Sequence, residues 1–140
     1  MQLLRDNGVD IIYLDSDGNI EDLLPIWVDC GINMFYPFEV AAGMDTLSVR
    51  KRYGKNVIIS GNIDKRALAA GKSAIDGELE RCRVLLRDGG FFPSCDHHVP
   101  PNVPLENMVY FVNELRKLSA YPETRRVVEL PQPEAAMAMA

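Results

Sequence analysis

The sequence predicts an α/β fold in which a parallel sheet is crossed by helices. Three observations carry that prediction. A strand–turn–helix unit recurs four times along the chain, and a crossover helix is what returns a chain to start a parallel neighbour. The strand segments are short and apolar throughout, as parallel strands covered on both faces should be. Each strand segment also ends in polar side chains, at the edge where such folds collect their loops and helix N-termini.

The units follow in order. Residues 1–8 read as the last turns of a helix stopped by Gly8. Residues 9–14 form an apolar, β-branched strand that breaks at Asp15-Ser16-Asp17-Gly18-Asn19. A helix over 20–30 sets Leu23, Leu24, Trp27 and Val28 on one face, with Pro25 early and Gly31 as terminator. The second unit is a strand over 32–38 ending at Glu39, then a helix over 43–53 closed by Gly54. The third is a strand over 56–60 running into Gly61-Asn62-Ile63-Asp64, with helices over 65–70 and 72–88. The fourth is a strand over 91–95 and a helix over 105–118, with Pro104 suiting its first turn. The ordered domain is therefore expected to span residues 1–121. Residues 122–140, rich in Pro, Glu, Ala and Met, are expected to be a flexible tail.

The polar strand ends are Asp15 and Asp17, then Glu39, then Asn62 and Asp64, then Cys95-Asp96-His97-His98. The last group is the densest cluster of reactive side chains and holds both histidines of the chain. On a parallel sheet these distant positions converge at one mouth. Turn formation and helix capping also explain Asp15, Asp17 and Asp64, since Asp favours both. Two carboxylates and a histidine suit a divalent metal, and they suit a proton-transfer set equally well. Spacing alone does not choose between them. No glycine loop of the phosphate-cradling or dinucleotide type occurs.

A net charge of −5 and a pI near 5.0 argue against nucleic acid or an anionic membrane as the main partner. Arg50-Lys51-Arg52 reads as a solvated helix face. No apolar run is long enough to span a bilayer. Cys30, Cys82 and Cys95 are odd in number and widely spaced, which disfavours a disulfide framework and fits a reducing cytoplasm. Cys30 and Cys82 read as small buried hydrophobes on helices.

With Gly61-Asn62-Ile63-Asp64 and the run from Asp96 to Asn107 in view, residues 9–118 resemble the C-terminal half of the uroporphyrinogen decarboxylase family. That family has a TIM-barrel fold and includes the haem-pathway decarboxylase and corrinoid-linked methyltransferases. Lys65 stands where the family's Gly-Asn-Leu-Asp-Pro motif has proline. His97 falls on the histidine of its Gly-His-Gly segment, and Pro104, Glu106 and Asn107 fall on the helix start that follows. In the methyltransferase branch zinc is held by a His-x-Cys pair and a later cysteine. Asp15 and Asp17 occupy the place of that pair and His97 the place of that cysteine, so no thiolate is kept.

The resemblance implies the C-terminal half of a TIM (β/α)8 barrel, in which Asp15, Asp17 and His97 are catalytic or ligate a divalent metal such as zinc. Glu39, Asn62, Asp64 and His98 would line the same mouth and contact a small-molecule substrate. The preferred reading is a methyl-transferring paralogue that works with a corrinoid carried by a partner protein. The alternatives are cofactor-free decarboxylation of a tetrapyrrole and a non-catalytic half-barrel partner. A TIM barrel takes about 250 residues. A four-strand sheet of this kind would expose two edges and half an apolar interior. It is therefore expected to need a missing N-terminal half or a second copy.

Overall fold

The computed structural model describes residues 1–119. Four strands, β1 (Tyr13–Asp15), β2 (Met34–Tyr36), β3 (Ile58–Ile63) and β4 (Phe91–Cys95), form one sheet in the order β1-β2-β3-β4. All three pairings are parallel. The helices are α1 (Gln2–Asp6), α2 (Leu24–Asp29), α3 (Thr46–Tyr53), α4 (Lys65–Ala70), α5 (Lys72–Asp88) and α6 (Leu105–Leu118). Strands thus alternate with helices as part of a TIM barrel does. The expected tail over 122–140 lies outside the described residues.

One face of the sheet carries the core. Phe35 and Ile59 are fully buried there, packed with Leu24, Leu68 and the α5 stripe Ile75, Leu79, Cys82 and Leu85. That spacing of three and four residues keeps the four side chains on one side of α5. Trp27 of α2 stacks on Phe35 with ring centroids 6.1 Å apart, joining the helix to the strand. Fully burying such an aromatic contributes on the order of 1.5–3 kcal/mol.

The other face is open. Tyr13, Met34 and Ile58 stand in register across three strands, and Ser60 pairs with Phe92. Ile11, Tyr13 and Phe92 are 48%, 49% and 52% exposed. The expected cover on both faces is therefore absent among the described residues, and the half-open interior is what is seen instead.

Several boundaries move, for local reasons. Residues 9–12 lead into β1, where the Ile12 carbonyl accepts the Met34 amide of β2 and the strand reaches Asp15. Helix α2 begins at Leu24, so Leu23 is its exposed N-cap and leaves the packed face. Asp45 caps α3 by accepting from the Leu47 and Ser48 amides, which delays the helix to Thr46. Strand β3 runs on to Ile63 because Asn62 and Ile63 pair with Ser94 and Cys95. Cys82 is buried as expected, but Cys30 is the exposed C-cap of α2.

Two arginines stitch the amino-terminal ends of the strands. Arg5 donates to the carbonyls of Val9, Asp10 and Gly31, ahead of β1 and β2. Arg50 donates to Gly54, Val57, Gly89 and Gly90, ahead of β3 and β4, and pairs with Asp88 at 3.3 Å. The expected solvated face thus holds for the exposed Lys51 and Arg52 but not for Arg50, whose side chain is only 11% exposed.

Candidate functional site

The opposite, carboxyl-terminal end of the sheet gathers the polar residues. Asp15, the last residue of β1, is exposed beside Tyr36 in the ladder, and the Tyr13 hydroxyl lies 3.5 Å from its Oδ2. Asp17 follows on the loop and meets His97, with Nε2 and Oδ1 3.4 Å apart. This contact joins β1 to β4, the two outer strands, so the loops arch over the strand ends. His98 is exposed and sets its ring edge-on to His97, centroids 4.9 Å apart.

The chain leaves β2 through a cis Tyr36–Pro37 peptide bond to Phe38, at φ 51°, and then Glu39. One Glu39 oxygen accepts the Lys65 ammonium at 2.6 Å, and the other accepts the Gly18 amide at 3.3 Å. Lys65 opens α4 directly after β3. Asp96, fully buried at the end of β4, accepts the amides of Val40 at 2.9 Å and Lys65 at 3.0 Å. Its carboxylate also lies 4.0 Å from the Lys65 ammonium.

These contacts hold the groups in defined charge states. The Lys65 hydrogen bond, then the Gly18 amide and the nearby Lys65 and His97, keep the Glu39 carboxyl below the usual carboxylate range against its desolvation. Partial burial alone would lower the Lys65 ammonium, yet Glu39 and Asp96 hold it above its ordinary value. Burial, then the charges of Cys95, Asp15, Asp96 and Asp17, raises the Tyr36 phenol. Burial likewise pushes the Cys95 thiol up, which leaves it a poor nucleophile.

Asn62 and Asp64 do other work. Asn62, expected to line the mouth, is fully buried at φ 61°, a conformation Asn adopts more readily than most residues. Its amide donates to Phe38 and Met44 carbonyls and accepts from Thr46 and Arg81, so it braces the loop after β2 from beneath. The neighbouring Gly61 passes so close to this loop that a Cβ would sit 2.2 Å from the Pro37 oxygen. Asp64 caps α4 through the Arg66 amide and pairs with the Arg66 guanidinium at 2.7 Å.

The structure therefore brings Asp17, Glu39 and His97 to one mouth, with Asp15 on its rim. It does not gather Asp15, Asp17 and His97 into a ligand set. Among the described residues no group of three or more His, Cys, Asp or Glu side chains is placed to hold a metal ion. The residues present do not fit zinc, and the one cysteine nearby is buried and protonated.

Sequence reasoning missed Lys65 and Asp96. Lys65 stood out only as the residue replacing a proline, and Asp96 was one member of a cluster read through its histidines. The signal for Asp96 was its place at the end of β4; the signal for Lys65 was a cation among four carboxylate-bearing strand ends. No helix of the described residues is long and apolar enough to cross a membrane. Residues 4–118 match the family model described as Uroporphyrinogen decarboxylase (URO-D). Neither the comparison with curated proteins nor that with solved structures found a match.

Proposed function

The chain belongs to the uroporphyrinogen decarboxylase family, and from that premise we propose that its strand ends form the acid–base part of an active site. The observation that carries this reading is the 3.4 Å contact between His97 Nε2 and Asp17 Oδ1. A carboxylate beside an imidazole orients the ring, as proton transfer at a substrate atom requires. Exchange of a carboxyl group for a proton is the chemistry that suits the pair best. One carboxylate stabilises the positive charge that develops on the substrate while His97 delivers the replacing proton. Glu39 and Lys65 bound the site, and Asp15 stands at its rim.

Methyl transfer with a corrinoid-bearing partner is the second reading, and the charge of the mouth favours it. Asp15, Asp17, Glu39 and Asp96 outnumber Lys65, which is a poor match for a tetrapyrrole that carries many carboxylates. A paralogue with a smaller or less anionic substrate fits that field better. In both readings the open sheet face takes the other half of a barrel, from the same protein or from a second copy. Three free cysteines suit a reducing cytoplasm.

The test uses the longest native protein that contains this segment. Uroporphyrinogen is supplied and coproporphyrinogen is sought, with Asp17→Asn and His97→Gln beside the wild type. Product from the wild type alone supports decarboxylation. No product, together with one metal per chain that His97→Ala releases, transfers the assignment to methyl transfer.

A further inference from the structure

The polar contacts at the mouth close on themselves. From β4, buried Asp96 fixes the Lys65 amide at the start of α4. Lys65 reaches Glu39 after β2, and Glu39 holds the Gly18 amide after β1. The residue before Gly18 is Asp17, which returns to β4 at His97. All four strand ends are thereby linked, although the sheet itself is open between β1 and β4.

The weak member of this ring is the loop that carries Asp17. Asp17 is 67% exposed on its side chain, and its backbone is held on one side by the Ser16 amide on the Tyr36 carbonyl at 3.0 Å and on the other by the longer Gly18 amide bond to Glu39 at 3.3 Å. Glu39 in turn keeps its orientation through the 2.6 Å contact to Lys65, whose side chain is only 20% exposed. Removing the ammonium would leave Glu39 free to turn to water and release Gly18.

We propose that Lys65 is a positioning residue of the site: its ammonium orients Glu39, Glu39 holds the Gly18 amide, and this sets Asp17 against His97. The meaning of this device for catalysis rests on the acid–base reading above, but its geometry can be tested without substrate.

The experiment is NMR on the same full-length protein, labelled with 15N and 13C, with His98→Gln used to assign His97. In Lys65→Met, the His97 imidazole Cε1–Hε1 signal should move toward its position in Asp17→Asn. The Gly18 amide should exchange about tenfold faster, as a freed loop amide does. Lys65→Arg, which keeps a cation in reach, should restore both. A folded Lys65→Met with native His97 signal and native Gly18 protection would overturn the proposal. If Lys65→Met does not fold, Glu39→Met, which removes the acceptor of both the ammonium and the Gly18 amide, stands in for it: the same two changes support the ring and their absence overturns it. Absence of turnover with these shifts intact would reject the assigned reaction and leave the positioning role in place.

Discussion

At the amino-terminal end of the sheet, Arg5 and Arg50 donate to backbone carbonyls; at the carboxyl-terminal end, Lys65 donates to a carboxylate side chain. Both ends join neighbouring strands through a cation. The hydrogen-bond acceptors at the floor belong to the main chain that enters the strands, to which Asp88 adds one carboxylate beside Arg50. Those at the mouth are side chains that titrate, rotate and can be exchanged for a substrate. In barrel folds the first end serves stability and the second serves chemistry, and here the choice of partner for each cation expresses that division.

The largest expected effect breaks the comparison at the mouth. Asp17→Asn or His97→Gln should lower turnover about 10²–10⁴-fold, with thermal unfolding little changed, because Asp17 is exposed, His97 is partly so and both replacements keep the side-chain size. At the floor the outcome should reverse. Arg50→Ala strips four carbonyls of a charged donor and should cost about 2–4 kcal/mol in chemical denaturation. Turnover by the fraction that remains folded should be near normal. A loss of turnover from the arginine variant beyond its loss of folded protein would erase the distinction between the ends.

Acid should sharpen the same contrast. Glu39 is held below its ordinary value in the fold, so its contribution is present above the unfolded value of about 4.3. It is lost as pH falls through the lower folded value. The Gly18 amide should therefore lose protection there, read by hydrogen exchange, while the amides that enter β3 stay protected because carbonyl acceptors do not titrate. The smallest effect concerns the thiols. Cys82, pushed up to about 11 by burial, and Cys95 should resist alkylation in the native protein, while exposed Cys30 reacts. Mass spectrometry should show Cys30 alone labelled until denaturant is added.

Much of the fold was legible because its signals are local. The apolar runs, glycine stops and helix stripes place β4, α4, α5 and α6 at the residues the structure gives them. The convergence of Asp17, Glu39 and His97 also followed from topology alone. What sequence could not convey depends on distances between loops. Asn62 and His98 are both polar strand-end residues, yet one is a fully buried brace and the other is exposed. Whether Asp15 points with Asp17 toward His97 depends on a turn of two residues, and no periodicity encodes it. The same holds for Arg50: a run of three basic residues reads as surface until the loops before β3 and β4 come within reach of its guanidinium.

Gly61 shows what such proximity does to tolerance for change. With φ at +96° and the Pro37 oxygen 2.2 Å from where a Cβ would stand, no other residue fits without displacing the backbone after β2. In a saturation library this codon should be blank, while those for exposed Lys51, Arg52 and Arg66 accept most replacements. A map of permitted substitutions would then outline the mouth by a residue that has no side chain. A search for reactive groups alone would pass over it.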